Sequence, residues 1–95
     1  MRMTERDIEW TSAFKRDFKR EKKTYRQLEN ILDPVLQALT TDCPLDEKYR
    51  DHALTGNWQN SRDCHVKPDL ILIYQKPDTE TLLLVRLGSH SELGI

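Results

Sequence analysis

Ninety-five residues, 37% hydrophobic and 33% charged, leave room for one small-cored domain (1–95) and exclude enzyme barrels and full dinucleotide-binding sheets. Fifteen basic and sixteen acidic residues balance to −1, so the charge is not the one-sided kind that keeps a chain disordered. The longest apolar run, Leu70-Ile71-Leu72-Ile73-Tyr74, falls far short of the roughly 20 residues that cross a bilayer.

Arg6 to Trp10 alternates polar with apolar and runs into Thr11-Ser12, two helix-capping residues, which predicts a short strand feeding a helix. That helix extends from about Ser12 to Lys23, with Phe14, Phe18 and Tyr25 on one stripe and basic residues on the other. Leu28, Ile31, Leu32, Val35, Leu36 and Leu39 follow the spacing of an amphipathic helix. The pattern continues past Pro34, which predicts one kinked helix rather than two elements. Trp58 to Cys64 alternates as a strand, and Val66-Lys67-Pro68 is read as the turn after it. Leu70 to Gln75 is apolar on both faces, as in a central strand. Leu82 to Leu87 is similar, and Lys76-Pro77-Asp78-Thr79 supplies the hairpin between them. The expected fold is α+β: an N-terminal strand and two helices on one face of a mainly antiparallel sheet of about four strands.

Charge is unevenly spread. Residues 1–30 hold nine basic and six acidic side chains, and Lys15 to Arg26 alone holds seven against two. Lys15, Lys19, Lys22, Lys23 and Arg26 form a candidate polyanion-binding face. Nothing near the N-terminus resembles a signal-peptide core, so a cytoplasmic protein is expected. Cys43 and Cys64 form no C-x-x-C pair and are expected to be reduced and structural.

The three histidines, His52, His65 and His90, all fall at predicted turns or strand ends, with Asp51, Asp63 and Asp69 near them in sequence. Loops and strand ends are where rigid scaffolds present functional groups. Such a set suits metal-free RNA cleavage. The 2′-hydroxyl attacks phosphorus while one imidazole takes its proton and another protonates the leaving 5′-oxygen. Arg62 and Arg86 could offset phosphoryl charge. Arg62 and His65 differ in strand parity, so they share a face only if the strand bulges near Cys64. A divalent-metal site is the weaker alternative, since the chain has no H-E-x-x-H.

The segments Tyr49-Arg50-Asp51-His52-Ala53-Leu54-Thr55-Gly56-Asn57-Trp58, Arg62-Asp63-Cys64-His65-Val66-Lys67-Pro68-Asp69 and Arg86-Leu87-Gly88-Ser89-His90 together resemble the YafQ branch of the RelE/ParE toxins. The resemblance implies a RelE-like fold and a ribosome-dependent endoribonuclease without cofactor, the toxin of a type II toxin–antitoxin pair. Its implied partners are a cognate antitoxin, the ribosome with mRNA and ribosomal RNA, and operator DNA only through the antitoxin. Carried over residue by residue, it matches His52, His65, Asp69 and His90 to family positions, puts Arg62 and Asp63 in the step before His65, and implies His90 as general acid; His65, with Asp69 orienting it, is then the candidate base, and His52 the residue that positions or shares that proton transfer. Leu70, and Leu93-Gly94-Ile95 at the end, stand where relatives commonly carry aromatics. The competing class is a ParE-like toxin that grips a protein target such as a topoisomerase.

Overall fold

The computed structural model describes residues 5–95. Its elements, in chain order, are β1 (Asp7–Trp10), α1 (Ser12–Thr24), α2 (Leu28–Thr40), β2 (His52–Ala53), β3 (Arg62–Lys67), β4 (Leu70–Gln75), β5 (Thr81–Gly88) and α3 (His90–Leu93). Short 3-10 turns at Glu47–Tyr49 and Gly56–Trp58 flank β2. The sheet order is β1-β5-β4-β3-β2. β1 lies parallel to β5 and the other pairs are antiparallel. The expected α+β layering therefore stands, with five strands in place of about four. The additional strand is β2, two residues that no periodicity could reveal.

β4 is buried along its whole apolar run, Leu70 to Tyr74, as a strand covered on both faces must be. One face packs under α1 and α2, where Phe14, Leu28, Leu32, Val35 and Leu39 meet Cys64, Leu72, Leu82, Leu84 and Leu87. α2 runs unbroken through Pro34, so the continued periodicity outweighed the missing donor. The opposite face carries a smaller cluster, in which Ile71, Ile73 and Leu93 are joined by Leu54, Trp58 and Val85. Cys64 lies in the main core, whereas Cys43 is exposed and has no core role.

Two sequence expectations about the third strand fail for local reasons. Trp58 is in a 3-10 turn, and Asn60 adopts φ 72°, a left-handed conformation that no strand interior accommodates. β3 therefore starts at Arg62 and keeps Val66 and Lys67. Pro68-Asp69 alone makes the turn, with Lys67 opposite Leu70.

β1 ends at Trp10, so the second half of β5 has no strand on the side away from β4. Thr11 makes the transition: its N–H donates to Leu84 O, its hydroxyl donates to Val85 O, and its Oγ1 caps α1 by accepting from Phe14 N. α1 then lies along the open edge. Asp17 Oδ2 accepts from Leu87 N at 3.0 Å, and Arg20 Nη2 donates to Leu87 O at 2.9 Å. Two helix side chains thus satisfy a backbone donor and acceptor that a neighbouring strand would otherwise pair. Asp17 also binds Arg86 at 2.6 Å and Arg20 at 3.0 Å.

Burial opposes ionisation of Asp17, but Arg86, the Leu87 N–H and the Arg20 charge outweigh it and lower its pKa. A carboxyl lowered from about 3.9 stabilises the fold fully above about pH 4, and this is lost as pH falls through the lowered value. Asp17→Ala should cost about 3 kcal/mol, because it orphans a buried N–H and unpairs Arg86. Urea unfolding of Asp17→Asn should also show a weaker loss of stability between pH 5 and pH 2 than the parent shows.

Candidate active site

Three elements bring the histidines together at one edge of the sheet. His52 is in β2, His65 in β3 and His90 opens α3. The rings of His65 and His90 lie 5.2 Å apart between centroids, and those of His52 and His65 lie 6.4 Å apart. Asp63 and His65 alternate with Cys64 and sit opposite Ile73 and Ile71, two residues of the smaller cluster. The site therefore lies on the face away from α1 and α2.

Each imidazole is held differently. Asp69, in the β3–β4 turn, accepts at Oδ1 from both the backbone N of His90 (3.0 Å) and its Nδ1 (2.7 Å). Those two bonds lower the pKa of Asp69 and leave Nε2 of His90 for proton exchange. Ser89 and Glu92 form a reciprocal capping box that fixes the start of α3. A Cβ at Gly88 would stand 2.9 Å from Arg20 Nη2, so a larger residue there would have to displace the end of that side chain. His90 is thus the first residue of a capped helix, not part of a reaching loop.

His52 Nδ1 is 2.8 Å from Arg50 O. A carbonyl only accepts, so Nδ1 carries the hydrogen. Its Nε2 is 3.0 Å from Asp63 Oδ1. That approach is too far off-axis for a hydrogen bond, and Oδ1 is a buried acceptor without one. Asp63 is only 2% exposed. Burial raises its pKa, against the pull of His52 and His65. His65, between the other two, makes no hydrogen bond from its ring among the described residues, and both its nitrogens are available.

Several expected assignments change. Asp69 orients His90 rather than His65, because the hairpin carries it across to α3. Arg62 stays out of the cluster: the register shift falls between His65 and Lys67, after both residues, so their opposite parity persists. Its guanidinium instead spans Asp51 at 3.3 and 3.1 Å, and Tyr74 donates its hydroxyl to the same carboxylate at 2.5 Å. Asp51 therefore serves Arg62 and Tyr74, and the partner of His52 is Asp63. Arg86 is held by Asp17. On α1, Lys15, Lys19 and Lys23 are exposed at one-turn spacing, whereas Lys22 pairs with Glu29. Arg26 lies beyond the end of the helix, off the face that an extended helical wheel gives it. Sequence reasoning also missed Arg50, whose φ of 53° turns its carbonyl toward His52.

An ionised carboxylate raised by burial costs the fold stability; the cost is absent below about pH 4 and complete above the raised pKa. Asp63→Asn should therefore raise the melting midpoint at pH 8 by roughly 4–8 °C, the shift that about 1 kcal/mol gives a domain of this size. The gain should shrink toward pH 4, and a pH series of thermal melts measures it.

A family model described as "Bacterial toxin of type II toxin-antitoxin system, YafQ" matches residues 6–94. The mRNA interferase toxin YafQ of Escherichia coli is 35% identical over 91 residues, covering 96% of this chain and 98% of that protein. The chain in the crystal structure of the E. coli DinJ-YafQ complex superposes with a TM-score of 0.81 at 38% identity, covering 93% and 97% of the two chains. A metal-bound toxin from Helicobacter pylori superposes with a TM-score of 0.82 at 47% identity, covering 96% and 99%. Among the described residues of this chain, no group of three or more His, Cys, Asp or Glu side chains is placed to hold a metal ion.

Proposed function

Since the chain belongs to the YafQ family of type II toxin–antitoxin toxins, we propose that it is an mRNA endoribonuclease that cleaves message on the ribosome by histidine acid–base chemistry. A cognate antitoxin holds it inactive, and operator DNA is reached only through that antitoxin. No helix among the described residues is long and apolar enough to cross a membrane, in keeping with action in the cytoplasm. The observation that carries the reading is the contact-distance row of three imidazoles drawn from three separate elements. A toxin that only gripped a protein target would have no use for it.

His90 is the general acid. Asp69 on its Nδ1 holds the ring so that Nε2 points outward, toward the leaving 5′-oxygen. His65 is the base, since its unbonded nitrogens can accept the 2′-hydroxyl proton. His52 lies beside it, 3.0 Å from Asp63, where an imidazole that carries charge offsets the charge building on the phosphoryl oxygens. Arg62 and Arg86 are bound to Asp51 and Asp17, so charge stabilisation falls to His52 unless those pairs open.

His90→Ala and His65→Ala should each lower the single-turnover rate on ribosome-bound mRNA by about 10²–10⁴-fold. EDTA should leave the parental rate unchanged. The rate should be bell-shaped in pH, its acidic limb belonging to the base and its alkaline limb to the acid. Parental rates in both variants would rule out the histidine mechanism.

The exposed lysines of α1 set affinity rather than chemistry. Lys15→Glu, Lys19→Glu and Lys23→Glu combined should raise the ribosome concentration for half-maximal cleavage. The maximal rate should change far less, and the salt dependence should flatten. Ribosome titrations at two salt concentrations test this.

A further inference from the structure

β2 pairs only with Arg62 and Asp63, and along the rest of that edge of β3 a groove of about 530 Å³ runs between α2, the Glu47–Tyr49 turn and the end of β3. Its volume falls within the roughly 300–1,000 Å³ of small-ligand sites. Lys48, Arg50 and Lys67 all line it, and no acidic side chain does. None of the three cations makes an ion pair among the described residues, in a part of the chain, 31–95, that holds ten acidic and only six basic residues. Tyr49 gives the groove an aromatic wall, and Lys48 Nζ stands 5.2 Å from its ring centroid. His65 belongs both to this wall and to the imidazole cluster.

Arg50 ties the two regions together. Its backbone is left-handed at φ 53°, a conformation that Gly or Asn adopts at less cost than Arg. Its carbonyl fixes His52 while its side chain lines the groove. A strained position occupied by a cationic side chain points to use of that side chain.

We propose that this groove is the subsite for the mRNA strand next to the scissile phosphate: Lys48, Arg50 and Lys67 contact successive phosphates, and Tyr49 packs against a base. The combination of unpaired cations with an aromatic wall is that of single-strand recognition, and His65, common to the groove wall and the imidazole row, links the two across the edge of β3. An acidic peptide would use the same cations but would gain nothing from a groove that opens onto the cleavage chemistry. The inference rests on the endoribonuclease reading above and goes beyond it by naming the path of the substrate.

The test uses the full chain on translating ribosomes. The mRNA carries a 2′-deoxy sugar at the cleaved nucleotide, which removes the nucleophile, and 4-thiouridine one or two positions to either side. The variants are Lys48→Glu with Lys67→Glu, both at exposed positions, and Arg50→Asn, which keeps the left-handed turn. Irradiation should crosslink the parent through the peptide containing Tyr49 or Lys67. The double variant should lose that crosslink, and with ordinary mRNA it should need at least tenfold more ribosome for half-maximal cleavage. Its log–log salt slope should fall by about 1.4, the value for two single-strand phosphates. Arg50→Asn should weaken affinity similarly while raising the melting midpoint. Crosslinks elsewhere, with ordinary mRNA cleaved by the double variant at parental affinity, would overturn the groove and leave the endoribonuclease reading intact. Loss of antitoxin binding with unchanged mRNA affinity would reassign the groove to an acidic peptide and overturn the proposal. Absence of any cleavage by the parent would overturn the endoribonuclease reading, and the groove with it.

Discussion

The second half of β5 is an interior position of the sheet on one side and an open edge on the other. What closes that edge is Asp17 and Arg20, which take the N–H and C=O of Leu87. Much of the architecture depends on this substitution of side chains for a strand. It fixes α1 beside β5, where Phe14 enters the core, and it anchors Arg86. It also reaches the start of α3, because Arg20 pairs with Glu92 at 3.1 Å and Glu92 is the acceptor of the capping box that holds Ser89. His90 is the next residue. The chain thus runs from a buried carboxylate in the first helix to an imidazole near the C-terminus through one guanidinium, and Gly88 is the residue that leaves room for it.

The site is built by convergence of elements whose own stability is modest. β2 is two residues long and α3 is four, and neither would persist alone. β2 is held by pairing with β3 and by the Arg62–Asp51–Tyr74 set on the helix side. Arg62 and Asp51 therefore matter to the site without entering it: they fix the segment that leads into His52. Loss of Asp51 would free Arg62 and leave the buried Tyr74 hydroxyl without its acceptor.

The parts of this fold that could be read from sequence are those governed by local periodicity. The spacing of Leu28, Leu32, Val35 and Leu39, and the unbroken apolar run of β4, each report burial directly. The parallel pairing of β1 with β5 could not be read, since it joins residues more than seventy positions apart and the alternation of β1 gives no direction. Trp58 to Cys64 misled because alternation survives in sequence even where Asn60 turns left-handed. The histidine cluster was legible as residue types at strand ends, but its partners were not. Asp69 is four residues from His65 and 21 from His90, and only the hairpin geometry decides between them. The parity of Arg62 and His65 was legible, and it correctly separates them once the bulge falls after both.

Where sequence rules are broken, the breaks cluster. Arg50 is left-handed without being glycine, Asp63 is a buried carboxylate with an oxygen lacking an aligned donor, and both touch His52. Asp42 and Asn60 are also left-handed, but in turns, and the helices and strands obey local logic: a hydroxyl caps α1, a capping box starts α3, and the central strand is apolar throughout. Selection tolerates destabilising features where they serve a purpose other than stability. The backbone of Arg50 determines which nitrogen of His52 carries hydrogen, and Asp63 sets a buried carboxylate against the other. Relaxing either would yield a more stable protein with a less defined imidazole. The strain is therefore best understood as what fixes the orientation of one histidine in a row of three, where His90 is oriented by a turn carboxylate and the ring of His65 is held by no hydrogen bond among the described residues.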